Sequence, residues 1–270
     1  MKLSLSLLLL TAVLFFSCQR ELDPSILQEP EENNTIIAAE NEKLKNAITT
    51  QTREVYLAGY IKDEAGKPVA QAKIQAGGKE TQTDADGYFN FKKLLSVNRD
   101  YALVTVTKSG YMNGFKTFTP NKKNAISHSI ELVLQTKSTA KTFTASSGGS
   151  ITIDDKIKLD FPANSIVTKS GQPYNGNVQV VGRYIDPAAE SFLETMPGTL
   201  SGLNLSGQIR AMESYGMASI DLYDASGNEL EVAASQNVTM KMPASAGSPA
   251  SIPLWHFNER FGIWIQTGTA

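Results

Sequence analysis

The stretch Gly59–Phe91, GYIKDEAGKPVAQAKIQAGGKETQTDADGYFNF, decides the fold. The chain enters it in strict alternation: Val55, Leu57, Gly59 and Ile61 fall on one side, Tyr56, Ala58 and Tyr60 on the other. A period of two marks a strand with one buried face, because successive side chains leave a strand on opposite sides. The pattern breaks at Asp63-Glu64-Ala65-Gly66-Lys67-Pro68 and resumes around Ile74 and again at Thr81–Thr83. It breaks once more at Thr83-Asp84-Ala85-Asp86-Gly87, ahead of Tyr88-Phe89-Asn90-Phe91. In such turns Asp accepts backbone hydrogen bonds and Gly supplies positive φ. Beyond lie the β-branched run Ala102–Lys108 (ALVTVTK), then Gly114–Thr119 and Ile126–Leu134. Short strands at regular spacing between Gly/Asp turns predict a seven-stranded β-sandwich over residues 53–136.

The same grammar continues downstream. Residues 142–145, 150–154, 157–161, 178–185, 218–223, 238–242, 254–257 and 262–267 read as strands. Gly148-Gly149, Ser170-Gly171-Gln172-Pro173 and Asp224-Ala225-Ser226-Gly227-Asn228 supply the turns. Trp255 and Trp264 are expected as cross-strand core anchors. No long helical period interrupts this half, so residues 140–270 are expected to form a second β-sandwich. The fold class is therefore all-β, with two tandem sandwiches.

Upstream the chain is of another kind. Residues 1–17 carry Lys2, an apolar run from Leu3 to Phe16, and Ser17. The run is shorter than the ~20 residues a membrane-spanning helix needs, and a charged start before a short apolar core describes a secretory signal. Cys18, the single cysteine of the chain, follows the small Ser17. A lone thiol at that place is expected to take a diacylglycerol and become the lipidated N-terminus. Gln19 rather than Asp follows it, and the expected destination is the outer membrane, on its periplasmic or its cell-surface side. The Pro-, Glu- and Asn-rich residues 18–52 read as a flexible linker. Ile37, Leu44 and Ile48 share one side of a short helix that would be marginal without partners.

Composition narrows the function. A net charge of −2 with no basic patch argues against nucleic acid as a partner. With two histidines, His128 and His256, and no cysteine beyond Cys18, the usual ligands of structural zinc are missing. No cofactor is expected. Asp84 and Asp86 resemble the opening of a calcium loop, but its twelfth position falls on Leu95, so a turn is the expected role. Gly148-Gly149-Ser150-Ile151-Thr152 lacks the closing glycine of a nucleophile elbow and precedes a strand rather than a helix. His256, between Trp255 and Phe257, reads as a strand residue. Glu213 and Asp221 are candidate paired carboxylates whose separation the sequence does not fix. Tyr56, Tyr60, Tyr88, Tyr111, Phe115 and Phe118 are expected to fill the core in preference to forming an exposed sugar-stacking row.

Two resemblances add to this reading. Gly59, Gly66-Lys67-Pro68-Val69, Ala72, Ile74, Thr83-Asp84-Ala85-Asp86-Gly87-Tyr88-Phe89 and Lys108-Ser109-Gly110-Tyr111 resemble the carboxypeptidase regulatory-like domain. That resemblance implies a transthyretin-like sandwich with an accessory, non-catalytic role. Phe161-Pro162-Ala163-Asn164-Ser165, Tyr184-Ile185-Asp186-Pro187, Met196-Pro197-Gly198, Glu213-Ser214-Tyr215-Gly216-Met217 and Ile252-Pro253-Leu254-Trp255-His256-Phe257 are similar to a module of the cartilage intermediate layer proteins, found also in bacterial surface lipoproteins. More distantly they resemble ZU5-type sandwiches, some of which cleave themselves at a His-Phe-Ser step; here the triplet is His256-Phe257-Asn258. Resembling chains run on past the Trp-rich hairpin, whereas this one stops at Gly268-Thr269-Ala270, which predicts a piece of a longer parent or an open sheet edge.

The expected protein is thus not an enzyme. It is a membrane-anchored surface lipoprotein presenting sandwiches for adhesion, assembly or scaffolding. The alternative is a glycan- or peptide-binding accessory of a nutrient-uptake system. Its expected partners are the membrane, through the lipid on Cys18, and an extracellular or periplasmic protein or glycan.

Overall fold

Strand β1, Thr52–Asp63, is the spine of the first region, and its alternation holds: Val55, Leu57 and Ile61 are buried while Tyr56 and Tyr60 face out. The computed structural model describes residues 42–44, 47–123, 125–245 and 247–270, and the signal segment 1–17 and Cys18 lie outside the described residues. After β1 come β2 (Lys73–Ala76), β3 (Lys79–Gln82), β4 (Tyr88–Asn90), β5 (Leu95–Asn98), β6 (Ala102–Thr107), β7 (Gly114–Phe118) and β8 (Ile126–Leu134). One edge of β1 pairs in parallel with β8 from Val55↔Ile126 to Asp63↔Leu134. The other edge is shared by β5, opposite residues 52–55, and β4, opposite residues 58–60. The facing sheet runs β3-β2-β6-β7. Ile61, Ile74, Phe89, Val104, Leu132 and their neighbours form one continuous core between the two sheets.

Gly59 marks the tightest point. A Cβ there would stand 2.1 Å from the Ile130 carbonyl oxygen and 2.9 Å from the Phe89 ring. The absent side chain lets β8 and Phe89 close over β1. The Asp84 turn works as expected, since its carboxylate accepts the Asp86 and Tyr88 amides at 3.0 and 2.9 Å.

The second region is nearly all β and carries a third sheet besides its sandwich. Its strands are β9 (Lys141–Thr144), β10 (Gly149–Ile153), β11 (Ile157–Phe161), β12 (Ile166–Thr168), β13 (Asn177–Ile185), β14 (Ser201–Leu203), β15 (Ile209–Ala211), β16 (Met217–Tyr223), β17 (Glu229–Val232), β18 (Thr239–Lys241), β19 (Pro253–Asn258) and β20 (Ile263–Thr269). A three-stranded sheet, β10-β11-β18, and a five-stranded sheet, β12-β17-β16-β13-β9, enclose a core of Phe143, Ile153, Leu159, Phe161, Val180 and Leu230. Phe143 and Phe161 stack inside it with centroids 4.5 Å apart.

A third sheet, β15-β14-β20-β19, stands outside that sandwich. One face buries Trp264 with Ile185, Phe192, Met196 and Met217. The opposite face buries Ile263 and Ile265 with Leu203, Leu44 and Ile48. Trp255 and Trp264 are not cross-strand partners; the register sets Trp255 opposite Gln266 and Phe257 opposite Trp264. The last strand, β20, lies between β14 and β19. The linker expectation for residues 18–52 also needs correction at its end. Leu44 is fully buried and Ile48 nearly so, which supplies the partners a short helical turn lacks in water.

The two regions are fastened together. The Thr117 hydroxyl, buried on β7, donates to the Gly262 carbonyl at 2.7 Å, and the Phe115 and Phe257 rings lie 5.4 Å apart. Gly262 has φ +67, and a Cβ on it would stand 2.6 Å from the Thr117 hydroxyl, so its backbone must be bare. The Gly198 amide donates to the Phe115 carbonyl at 3.0 Å, and the Lys116 ammonium donates to the Leu193 carbonyl. At the other end of the junction Arg183 donates to the Thr136 carbonyl at 2.6 Å and to its hydroxyl at 2.7 Å.

Candidate functional site

Two surfaces have the makings of a site. The first is the outer face of β1, β4 and β8. Alternation puts Tyr56, Ala58 and Tyr60 on that face, and both tyrosines are about two-fifths exposed (43% and 42%). The parallel register sets Ser127, Ser129 and Glu131 beside them, and β4 sets Asn90 opposite Ala58 and Tyr88 opposite Tyr60. The Tyr88 ring braces Tyr60 at 5.2 Å, and the Asn90 amide donates to the Tyr88 hydroxyl at 3.0 Å. A partly open hollow of about 270 Å³ lies between Tyr56, Ala58, Asn90, Lys92 and Ser127.

The second is a cleft in the five-stranded sheet. β16 and β17 pair only at Leu222↔Leu230 and Tyr223↔Glu229 before β17 turns away to pair with β12. The gap is a cavity of about 560 Å³, with Leu159, Phe161, Leu230 and Met240 as apolar lining and Asp221, Glu229, Glu259 and Lys169 as charged lining. Asp221 accepts from the Tyr223 hydroxyl at 3.0 Å, and Lys137 donates to the same hydroxyl at 2.6 Å while lying 3.8 Å from the Asp221 carboxylate. Burial pushes the Asp221 carboxyl above the usual range, against the opposing pull of Tyr223 and Lys137. Tyr223 is pushed up by burial first and by Asp221 second. Much of Glu259 is open to solvent, yet its carboxyl is also raised, by desolvation first and then by Asp221 and Glu229. Lys169, paired with Glu229, is held above its ordinary value by that bond.

The residues singled out by sequence fall in separate places. Glu213 accepts from Tyr215 at 2.9 Å; the carboxylate that acts on Asp221 is Glu229, and Asp221 in turn acts on Glu259. Ser150 donates to Asp160 on the neighbouring strand at 2.6 Å. His256 sits opposite Ile265. His128 lies under the Phe118 ring at 4.9 Å, accepts the Asn121 amide, and is held below its ordinary value by burial. The aromatics divide. Tyr111 and Phe118 pack on the first core, Phe115 is buried at the junction, and Tyr56 and Tyr60 are exposed, against the core-filling expectation. Among the described residues no three His, Cys, Asp or Glu groups are arranged to hold a metal ion, and no helix is long and apolar enough to cross a membrane. Glu259 was not foreseen, because its neighbour Asp221 is far away in the chain.

No family model matches the chain. Among solved structures, a Bacteroides fragilis protein provisionally described as membrane-associated and of unknown function shares 11% identity over 81% of this chain and 94% of its own, with a TM-score of 0.26. A Bacteroides uniformis protein provisionally described as carbohydrate-binding shares 8% identity over 81% of this chain and 96% of its own, with a TM-score of 0.22. At such scores neither carries an argument. In sequence the chain is 24% identical over 229 residues to cartilage intermediate layer protein 1 of Mus musculus, covering 81% of this chain and 19% of that protein. It is 28% identical over 114 residues to human cartilage intermediate layer protein 2, covering 40% of this chain and 10% of that protein. The chain thus spans about a fifth of the length of the first of these relatives. It is an all-β protein distantly similar to one stretch of the cartilage intermediate layer proteins.

Proposed function

We propose that this chain is a non-catalytic bacterial lipoprotein, held at the outer membrane by a lipid on Cys18, whose β-regions are presented at the surface for adhesion, assembly or scaffolding. Its first region is read as a carboxypeptidase regulatory-like module. The junction is the observation that carries this reading. A buried side-chain bond, a ring pair and a glycine that tolerates no side chain fasten the first region to the third sheet. Such a fastening fixes the direction in which each face points, which is what a presenting body needs. The candidate nucleophile Ser150 and the candidate metal ligand Asp84 support it as well, since both are engaged in structural hydrogen bonds.

Metabolic labelling with an alkyne palmitate in a Gram-negative host tests the anchor. The wild-type protein is expected to take the label and fractionate with membranes. Cys18→Ala is expected to lose the label and appear in the soluble fraction. Equal labelling of both proteins would refute the anchor.

A second reading, a glycan-binding accessory of an uptake system, is favoured by one observation, the exposure of Tyr56 and Tyr60 on one face of β1.

A further inference from the structure

We infer that the outer face of β1, β4 and β8 is a binding site for an uncharged polysaccharide, with Tyr56 and Tyr60 as two stacking platforms and Ala58 as the floor between them. This rests on the second reading above and gives it a place and a ligand class. A tyrosine packed into a core loses its apolar surface to neighbours, but Tyr56 and Tyr60 are each about two-fifths exposed. They are four residues apart on one strand, which at ~3.3 Å per residue separates them by about 13 Å. Sugar rings offer a face of C–H groups that packs on an aromatic face. Two platforms at that separation contact two sugars of one chain with a stretch of polymer between them.

What lies between the platforms suits that stretch. Ala58 is small, so the backbone there is a low floor. Its neighbours in register are Asn90 on one side and Ser129 on the other, with Ser127 beside Tyr56. These side chains offer an amide and two hydroxyls, which both donate and accept, as sugar hydroxyls require. The hollow between Tyr56, Asn90, Lys92 and Ser127 is partly open to solvent. A partly open hollow on a sheet face can admit a polymer crossing that face. Tyr60 is already pre-set, because Tyr88 packs on it and Asn90 fixes the Tyr88 hydroxyl. Little side-chain freedom remains to be lost on binding.

Charge selects among polymers. Alternation from Tyr56 puts Glu54 and Lys62 on this face, register adds Glu131, and Lys92 lines the hollow. Two cations and two anions cancel, and Lys62 and Glu131 face each other at 3.9 Å. An anionic polymer such as a uronate finds no net positive field here, and a basic protein surface finds no net negative one.

The test is affinity electrophoresis of the full-length protein in a sugar-free detergent, through gels containing hydroxyethylcellulose, galactomannan or amylopectin, with polygalacturonate as the charged control. At least one neutral polymer is expected to retard the wild-type protein, and polygalacturonate is not. Tyr56→Ala with Tyr60→Ala is expected to weaken retardation by about tenfold or more, the scale of lost aromatic contacts. Tyr60→Phe is expected to keep it. Ala58→Thr raises the floor with a side chain that strands favour, leaves both rings in place, and is expected to weaken binding by about fivefold. The melting temperature of each variant separates lost binding from lost folding. Retardation by no neutral polymer, retardation only by polygalacturonate, or retardation that survives the double substitution would overturn the site. The anchored-scaffold reading would still stand if palmitate labelled Cys18.

Discussion

The two β-regions are built by opposite means. The first draws its stability from within: one long strand, one parallel ladder and one core, all supplied by residues 52–134. The second draws on distant parts of the chain. Its third sheet is covered on one side by Leu44 and Ile48, which precede the first region, and it is fastened by Thr117 from the middle of it. A self-contained region can be damaged only from inside. A dependent one can be damaged from far away in sequence, and the contrast can be tested by substitutions of graded effect.

The largest effect is expected at the centre of the self-contained region. Gly59→Ala adds one carbon, which must displace the Ile130 carbonyl oxygen from 2.1 Å and the Phe89 ring from 2.9 Å. The first obstacle is backbone in the nine-residue ladder between β1 and β8, so it cannot swing aside. The expected cost is about 3 kcal/mol, the upper part of the range for overpacking. Calorimetry is expected to show the first region's transition moved well down in temperature. A shift of only a degree or two would mean that the strands part more readily than the single core implies.

A somewhat smaller loss is expected from outside the second region. Leu44→Ala empties a fully buried site under Leu203, Ile263 and Ile265. Leucine truncations of this kind cost about 2–5 kcal/mol, and a site at the margin of a small core belongs near 2. The readout is the fluorescence of Trp264, which packs on the opposite face of the same sheet. An unchanged Trp264 unfolding midpoint would return residues 18–52 to the status of a plain linker. It would also remove the ground for calling the second region dependent.

The same contrast explains what could be read in advance. β1 was legible because twelve residues give alternation room to repeat, which separates Tyr56 and Tyr60 from Val55, Leu57 and Ile61 but does not say which side is covered. The Asp84 turn was legible because its chemistry is local, from carboxylate to amides two and four residues on. β12, β14, β15 and β17 have three or four residues each, too few for a period to declare itself. The third sheet was missed for another reason. β14 and β20 pair in parallel at Gly202↔Trp264, a contact between segments some sixty residues apart that no local pattern encodes. The candidate site divides the same way. Alternation puts both tyrosines on one face, but whether that face is covered by another sheet is decided by topology. The cleft at Asp221 follows from the divergence of β16 and β17, which depends on β12 drawing β17 away.

The smallest expected effect lies in that cleft. Asp221 is raised by burial, against the opposing influence of Tyr223 and Lys137, with Glu229 adding to the rise and Lys169 opposing it; Glu259 faces it from the β19–β20 turn. A carboxyl whose native pKa exceeds its unfolded value binds protons more tightly when folded. Its contribution to stability therefore falls as pH rises from the ordinary carboxylate value, about 4, through the raised native value, and stays lost above it. Below pH ~4 both states are protonated and the penalty vanishes. Asp221→Asn stays neutral throughout and still offers an oxygen to the Tyr223 hydroxyl. It is expected to stabilise the second region near pH 8 and to make no difference near pH 4. Denaturant midpoints of the two proteins across that range measure the difference directly, since titrations common to both cancel. A variant that is less stable than the wild type at pH 8 would show that the 3.8 Å approach of Lys137 outweighs burial. The cleft would then be a sealed ion pair rather than a carboxylate held in apolar surroundings, and the second region would owe some of its stability to charge as well as to its distant parts.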